Sequence, residues 1–116
     1  MFEKAATCPL TLAIERMDDA AIVRCSGRLV SDVSDSFYLE IKQLIPEFKG
    51  IVLDLTDLTH MDSMGLGALV RVYVSAKSTG CSLKLMNLGK PVRQLLGVTH
   101  LLSVFQIIGE NNIKII

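Results

Sequence analysis

The 116-residue sequence has no apolar run approaching the ~20 residues that a membrane-spanning helix needs. No basic, then apolar, then small-residue leader opens it, so the expectation is a cytoplasmic protein without membrane insertion. An excess of positive charge is missing too. Twelve Lys and Arg balance twelve Asp and Glu, with no basic cluster to follow a phosphate backbone, and no nucleic-acid partner is expected. Cysteine is scarce: Cys8, Cys25 and Cys81 are odd in number, widely spaced and outside any CxxC pattern. Cys25 lies in an apolar stretch, where a free thiol behaves as a small core residue. His60 and His100 are the only histidines, too few ligands for a transition-metal centre, and neither a metal nor a cofactor is expected.

What is present is core-forming material. Hydrophobic residues make up 50% of the chain and charged residues 21%. The length suits a single domain over residues 1–116, able to bury roughly two-thirds of its unfolded surface, with 1–9 read as a leader and 109–116 as a tail. Leu10, Leu12 and Ile14 alternate with Thr11, Ala13 and Glu15, the pattern of a strand with one buried face. After a turn at Asp18 and Asp19, AIVRC (21–25) reads as a second strand ending at Gly27, and the two form an antiparallel hairpin. SDVSDS (31–36) offers several helix-capping side chains, and Val33, Phe37, Ile41, Leu44 and Ile45 follow at helical spacing until Pro46.

IVLDL after Gly50 is a continuous apolar run, expected to be a strand covered on both sides. Leu66, Leu69, Val70 and Tyr73 give the next helix a buried stripe, which Gly80 ends as a left-handed cap. CSLKLMN (81–87) is a further strand, and Pro91 opens a third helix carried by Val92, Leu95 and Leu96. A last strand falls around VFQII (104–108), with Ile113 and Ile115 of the tail suggesting an extra edge pairing. The alternation implies an α/β fold: a mixed sheet of four to five strands, the central ones parallel, with three to four helices packed against it.

The least ordinary stretch is THMDSMGLGALV, residues 59–70. Read as a loop after a central parallel strand, 54–67 emerges at the carboxyl edge of the sheet, where α/β folds place functional groups. Asp54, Asp57 and Asp62 gather there with His60 and Ser63. An Asp or Ser just before a helix is ordinarily a cap for the free amides of the first turn. Leu66 stands where a capping box needs Glu or Gln, so the hydroxyl is not held in a reciprocal pair. Gly65 and Gly67 each cost roughly 0.5–1 kcal/mol relative to Ala inside a helix. Two accounts of them stand open: close packing of the helix on its own sheet, or a bare first turn that another protein approaches.

MDSMGLGAL, preceded by VLDLTDLTH, resembles the signature of the STAS domain, and specifically of SpoIIAA-type anti-sigma factor antagonists. IVRCSGRL (22–29) is similar to the second strand of that family. GCSLKLMNLGKPVRQLLGVTHLLSVFQI is similar to its closing strand, helix and strand, so the likeness runs from about residue 10 to 108. The resemblance implies a STAS fold, no enzymatic activity of its own, and Ser63 as the phosphoacceptor of a GHKL-type serine kinase that is also an anti-sigma factor. It implies that the unphosphorylated form binds this kinase and frees a sigma factor, that phosphorylation blocks binding, and that a PPM-type phosphatase restores it. The implied partner-binding set is Asp32, Asp57, His60, Asp62, Met64, Gly65 and Leu66, and a homodimer is left open. Where many members carry Gly-x-Leu-Asp, this chain has Gly27-Arg28-Leu29-Val30, with Asp32 two residues on.

Other readings fit less well. A response-regulator receiver needs an acidic pair ending its first strand, but the residues after Asp18 and Asp19 read as a strand, and Lys90-Pro91 opens a helix rather than ending a strand. For a hydrolase, Ser63 has only His60 nearby as a base, with no orienting triad and no P-loop cradle. A STAS scaffold or sensor subunit, stressosome-like or accessory to a transporter, is the alternative that shares the fold.

Overall fold

A computed structural model describes residues 9–108. The elements are β1 (Leu10–Met17), β2 (Ala20–Leu29), α1 (Ser31–Leu44), a 3-10 turn (Ile45–Glu47), β3 (Gly50–Met61), α2 (Ser63–Thr79), β4 (Ser82–Met86), α3 (Lys90–Val98) and β5 (Gln106–Ile108). They form one sheet in the order β1-β2-β3-β4-β5, with β1 antiparallel to β2 and every later pair parallel. A helix bridges each parallel connection, as such crossovers require. The hairpin turns at Asp18, whose φ of 55° is one that a short acidic residue tolerates, so that Met17 pairs with Ala20.

The core lies between the helices and one face of the sheet. Val23, Leu53 and Leu85 from three adjacent strands are fully buried, as are Ile41, Leu69, Val72, Val92 and Leu96 from the helices. Each such side chain contributes about 1.5–3 kcal/mol relative to exposure. The buried stripe of α2 is shifted from the expected one. Leu66 and Leu69 are in it, but Val72 and Ala76 complete it, while Val70 and Tyr73 are half-buried. On β1 the inward face thins toward the end of the strand, and Ile14 is 45% exposed.

β3 departs from expectation in two ways. It is not covered on both sides: Val52 and its cross-strand neighbours Ile22 and Lys84 are half-exposed, so the sheet face away from the core is partly open. It also continues to Met61, so residues 54–61, read from the sequence as loop, are strand. Leu53, Leu55 and Leu58 are all buried although their spacing changes from two to three, which a regular strand could not allow. Register shifts reconcile this. Arg24 pairs with Asp54 but Ser26 with Asp57, and Gly27 pairs with Leu58 but Arg28 with His60. Each shift inserts an extra β3 residue, the signature of a bulge. The tail residues Ile113 and Ile115 lie outside the described residues.

Candidate functional site

β2 and β3 end side by side, with Leu29 paired to Met61, and each leads at once into a helix. The starts of α1 and α2 are thereby brought to one corner of the sheet's carboxyl edge. Asp62 holds that corner. It is the N-cap of α2, and its Oδ1 accepts the Gly65 amide at 2.8 Å. Its Oδ2 accepts the Ser31 amide at 3.0 Å, across to the first residue of α1. The Asp62 amide in turn donates to the Leu29 carbonyl at 3.3 Å, and its carbonyl accepts the Leu66 amide at 2.9 Å. The Gly65 amide first, with the Ser31 amide adding to it, holds the Asp62 carboxyl below its ordinary range despite some desolvation.

Because Asp62 is the cap, Ser63 is released from that duty. Ser63 is the first residue of α2 and is exposed, and among the described residues its hydroxyl has no hydrogen-bond partner. Met64 beside it is 57% exposed.

The two glycines separate. A Cβ on Gly65 would fall 2.0 Å from the Leu29 carbonyl oxygen, so Gly65 is there to let α2 lie against the end of β2. A Cβ on Gly67 would meet nothing within 4 Å, and Gly67 is exposed. Gly65 and Leu66, both expected among the partner contacts, are buried in the fold, Leu66 being 7% exposed, and offer little surface. Gly67 is the glycine that leaves the helix bare outward. In the sequence the two look alike, and only the proximity of Leu29 tells them apart.

The other expected residues divide by distance from this corner. Asp32 is exposed in the first turn of α1, one residue from the Ser31 amide that Asp62 holds. His60 is exposed near the end of β3, opposite Arg28, with Nδ1 2.9 Å from the Thr59 hydroxyl. Asp57 is also exposed but set back behind the second bulge, opposite Ser26. Asp54 is not in a loop at all. It is 4% exposed, inside the sheet, bonded to the Thr56 hydroxyl and paired with Arg24 at 3.5 Å. The capping expected from SDVSDS is likewise corrected: the N-cap position before α1 is Val30, which offers no side-chain cap, and the Ser31 amide is held by Asp62. Among the described residues no group of His, Cys, Asp or Glu could hold a metal ion, and no helix is long and apolar enough to cross a membrane.

A sequence model of the STAS domain matches residues 11–113. The chain belongs to the STAS domain family. Among its relatives is the anti-sigma F factor antagonist of Paenibacillus polymyxa, 30% identical over 100 residues that span 84% of this chain and 86% of that one. Two solved structures share the fold. The anti-sigma factor antagonist SpoIIAA in its unphosphorylated form superposes with a TM-score of 0.72 at 18% identity, over 84% of this STAS domain and 88% of SpoIIAA. The Bacillus cell fate determinant SpoIIAA in the phosphorylated form gives 0.68 at 17% identity, over 84% of this chain and 91% of that one.

Proposed function

We propose that this STAS domain is an anti-sigma factor antagonist switched by phosphorylation of Ser63. The observation that carries the reading is the Ser63 hydroxyl itself, exposed at the start of α2 and unengaged among the described residues, because Asp62 does the capping. The relative from Paenibacillus polymyxa, named an anti-sigma F factor antagonist, supports it. The partner is a GHKL-type serine kinase that doubles as an anti-sigma factor, met in the cytoplasm, and a PPM-type phosphatase reverses the modification. In the forward step the Ser63 Oγ–Pγ bond forms as the bond from Pγ to the departing ADP oxygen breaks, and the hydroxyl proton passes to a base of the kinase.

The physics is that of an electrostatic gate. A phosphate brings nearly two negative charges and three acceptor oxygens. The start of α2 tolerates it, since helix N-termini stabilise anions by ~0.3–1 kcal/mol at exposed sites. A partner seated on Met64 and Gly67 would have to desolvate that dianion beside Asp62. A penalty of ~3 kcal/mol, modest for such a burial, weakens docking more than a hundredfold. No rearrangement of the fold is needed.

Incubation with GHKL-type serine kinases and ATP, followed by mass spectrometry, should place the phosphate on Ser63 and find none in Ser63→Ala. Ser63→Asp should bind the kinase at least a hundredfold more weakly, with its amide spectrum unchanged away from the start of α2. Labelling that persists in Ser63→Ala overturns the site. A STAS scaffold, by contrast, would keep its partner in Ser63→Asp.

A further inference from the structure

The corner built by Asp62 carries more than a cap. An N-terminal helix turn leaves its first amides without partners, and the residue ahead of it usually supplies an acceptor. Val30 stands in that place before α1 with the extended backbone of a cap, φ −128° and ψ 177°, yet a valine side chain has nothing to accept with. The Ser31 amide, the first of the helix and one that a side chain at position 30 would not reach, is taken by Asp62, 31 residues further along the chain, whose other oxygen is already committed to the Gly65 amide. One carboxylate therefore serves two helices, and Ser63 is the residue immediately after it.

We propose that Asp62 is a positioning residue for Ser63, a tether that locks the start of α2 to the start of α1 through the Ser31 amide. In this role Asp62 acts from within the fold and not as a contact for the partner. The tether is a claim about the fold alone; its consequence for phosphoryl acceptance rests on the proposed function.

The test uses the full chain carrying Asp62→Asn or Asp62→Ser, each alone and combined with Val30→Ser. Asn and Ser both keep one acceptor for the Gly65 amide and lose the second one that reaches Ser31. Amide exchange followed by NMR should then speed up about fivefold to tenfold at Ser31 in both variants, and little at Gly65. Labelling of Ser63 by a GHKL-type serine kinase with ATP should fall about fivefold in kcat, with KM within about twofold. Val30→Ser, which offers an acceptor to the Asp32 or Val33 amide but does not rejoin the two helices, should slow exchange at those amides and leave the labelling rate low.

Unchanged exchange at Ser31 in both variants overturns the tether. Labelling lost through KM overturns the positioning role and makes Asp62 a partner contact, and labelling recovered by Val30→Ser shows that the link between the two helices is not what positions Ser63. If the wild-type chain is not labelled, the positioning role falls with the proposed function, whereas exchange at Ser31 still decides the tether.

Discussion

A serine at the mouth of a helix ordinarily turns its hydroxyl back onto the chain. Ser63 does not, because Asp62 takes the N-cap one residue earlier. The adjacency of an Asp and a Ser was legible as a string, but that the capping Asp62 also takes the Ser31 amide, a neighbour only in space, was not. The glycines make a sharper contrast. Gly65→Ala puts a methyl 2.0 Å from the Leu29 carbonyl oxygen, and backbone cannot step aside as a flexible side chain would. A loss of about 3 kcal/mol in urea unfolding is expected, the upper range for overpacking. Gly67→Ala enters open space and should stabilise the protein by about 0.5–1 kcal/mol through helix propensity. If Gly67 lies under a docked partner, Gly67→Leu weakens binding at least tenfold in a titration while leaving the fold intact.

At the scale of the element, β3 is the piece the sequence misled about most. The alternation of Leu53 and Leu55 ends at Thr56, which reads as the end of a strand, and only pairing to β2 through two bulges carries it on to Met61. Asp54 belongs to the same account. Burial would raise its carboxyl, but the Thr56 hydroxyl and amide, then Arg24, outweigh this and hold it below its ordinary range. The unfolded chain therefore takes up a proton at Asp54 before the folded chain does. That contribution is complete above about pH 4 and is lost as pH falls through the folded value. Asp62, shifted in the same direction, adds to the same acid loss. The urea midpoint should accordingly drop on acidification below about pH 4, and drop less steeply in Asp54→Asn. An Asp54→Asn chain with the wild-type acid profile would remove Asp54 from this account. The network also joins strands: the Asn87 side-chain amide donates to the Thr56 hydroxyl at 2.8 Å, tying the end of β4 to β3.

Across the whole molecule, the proposed site occupies one corner, away from the two buried cysteines. Burial, with the charge of Asp54 adding to it, pushes the Cys25 thiol up to about 12, and burial raises Cys81 as well. Neither forms a reactive thiolate at neutral pH, so both should be alkylated only as fast as the native chain opens. Modification of Cys25 faster than global amide exchange would show that the sheet opens locally. The sequence by itself determined the order of the elements, the antiparallel opening hairpin and the parallel sheet that follows. These depend on the period of apolar residues and on turn chemistry, both local along the chain. It also pointed to Ser63, through a short motif in the right setting. Only the tertiary structure decided that Asp62 serves two helices, that Gly65 faces inward and Gly67 outward, and that Asp54 lies within a strand. Each of those rests on a group brought close from a distant part of the chain, and a one-dimensional pattern carries no measure of that proximity.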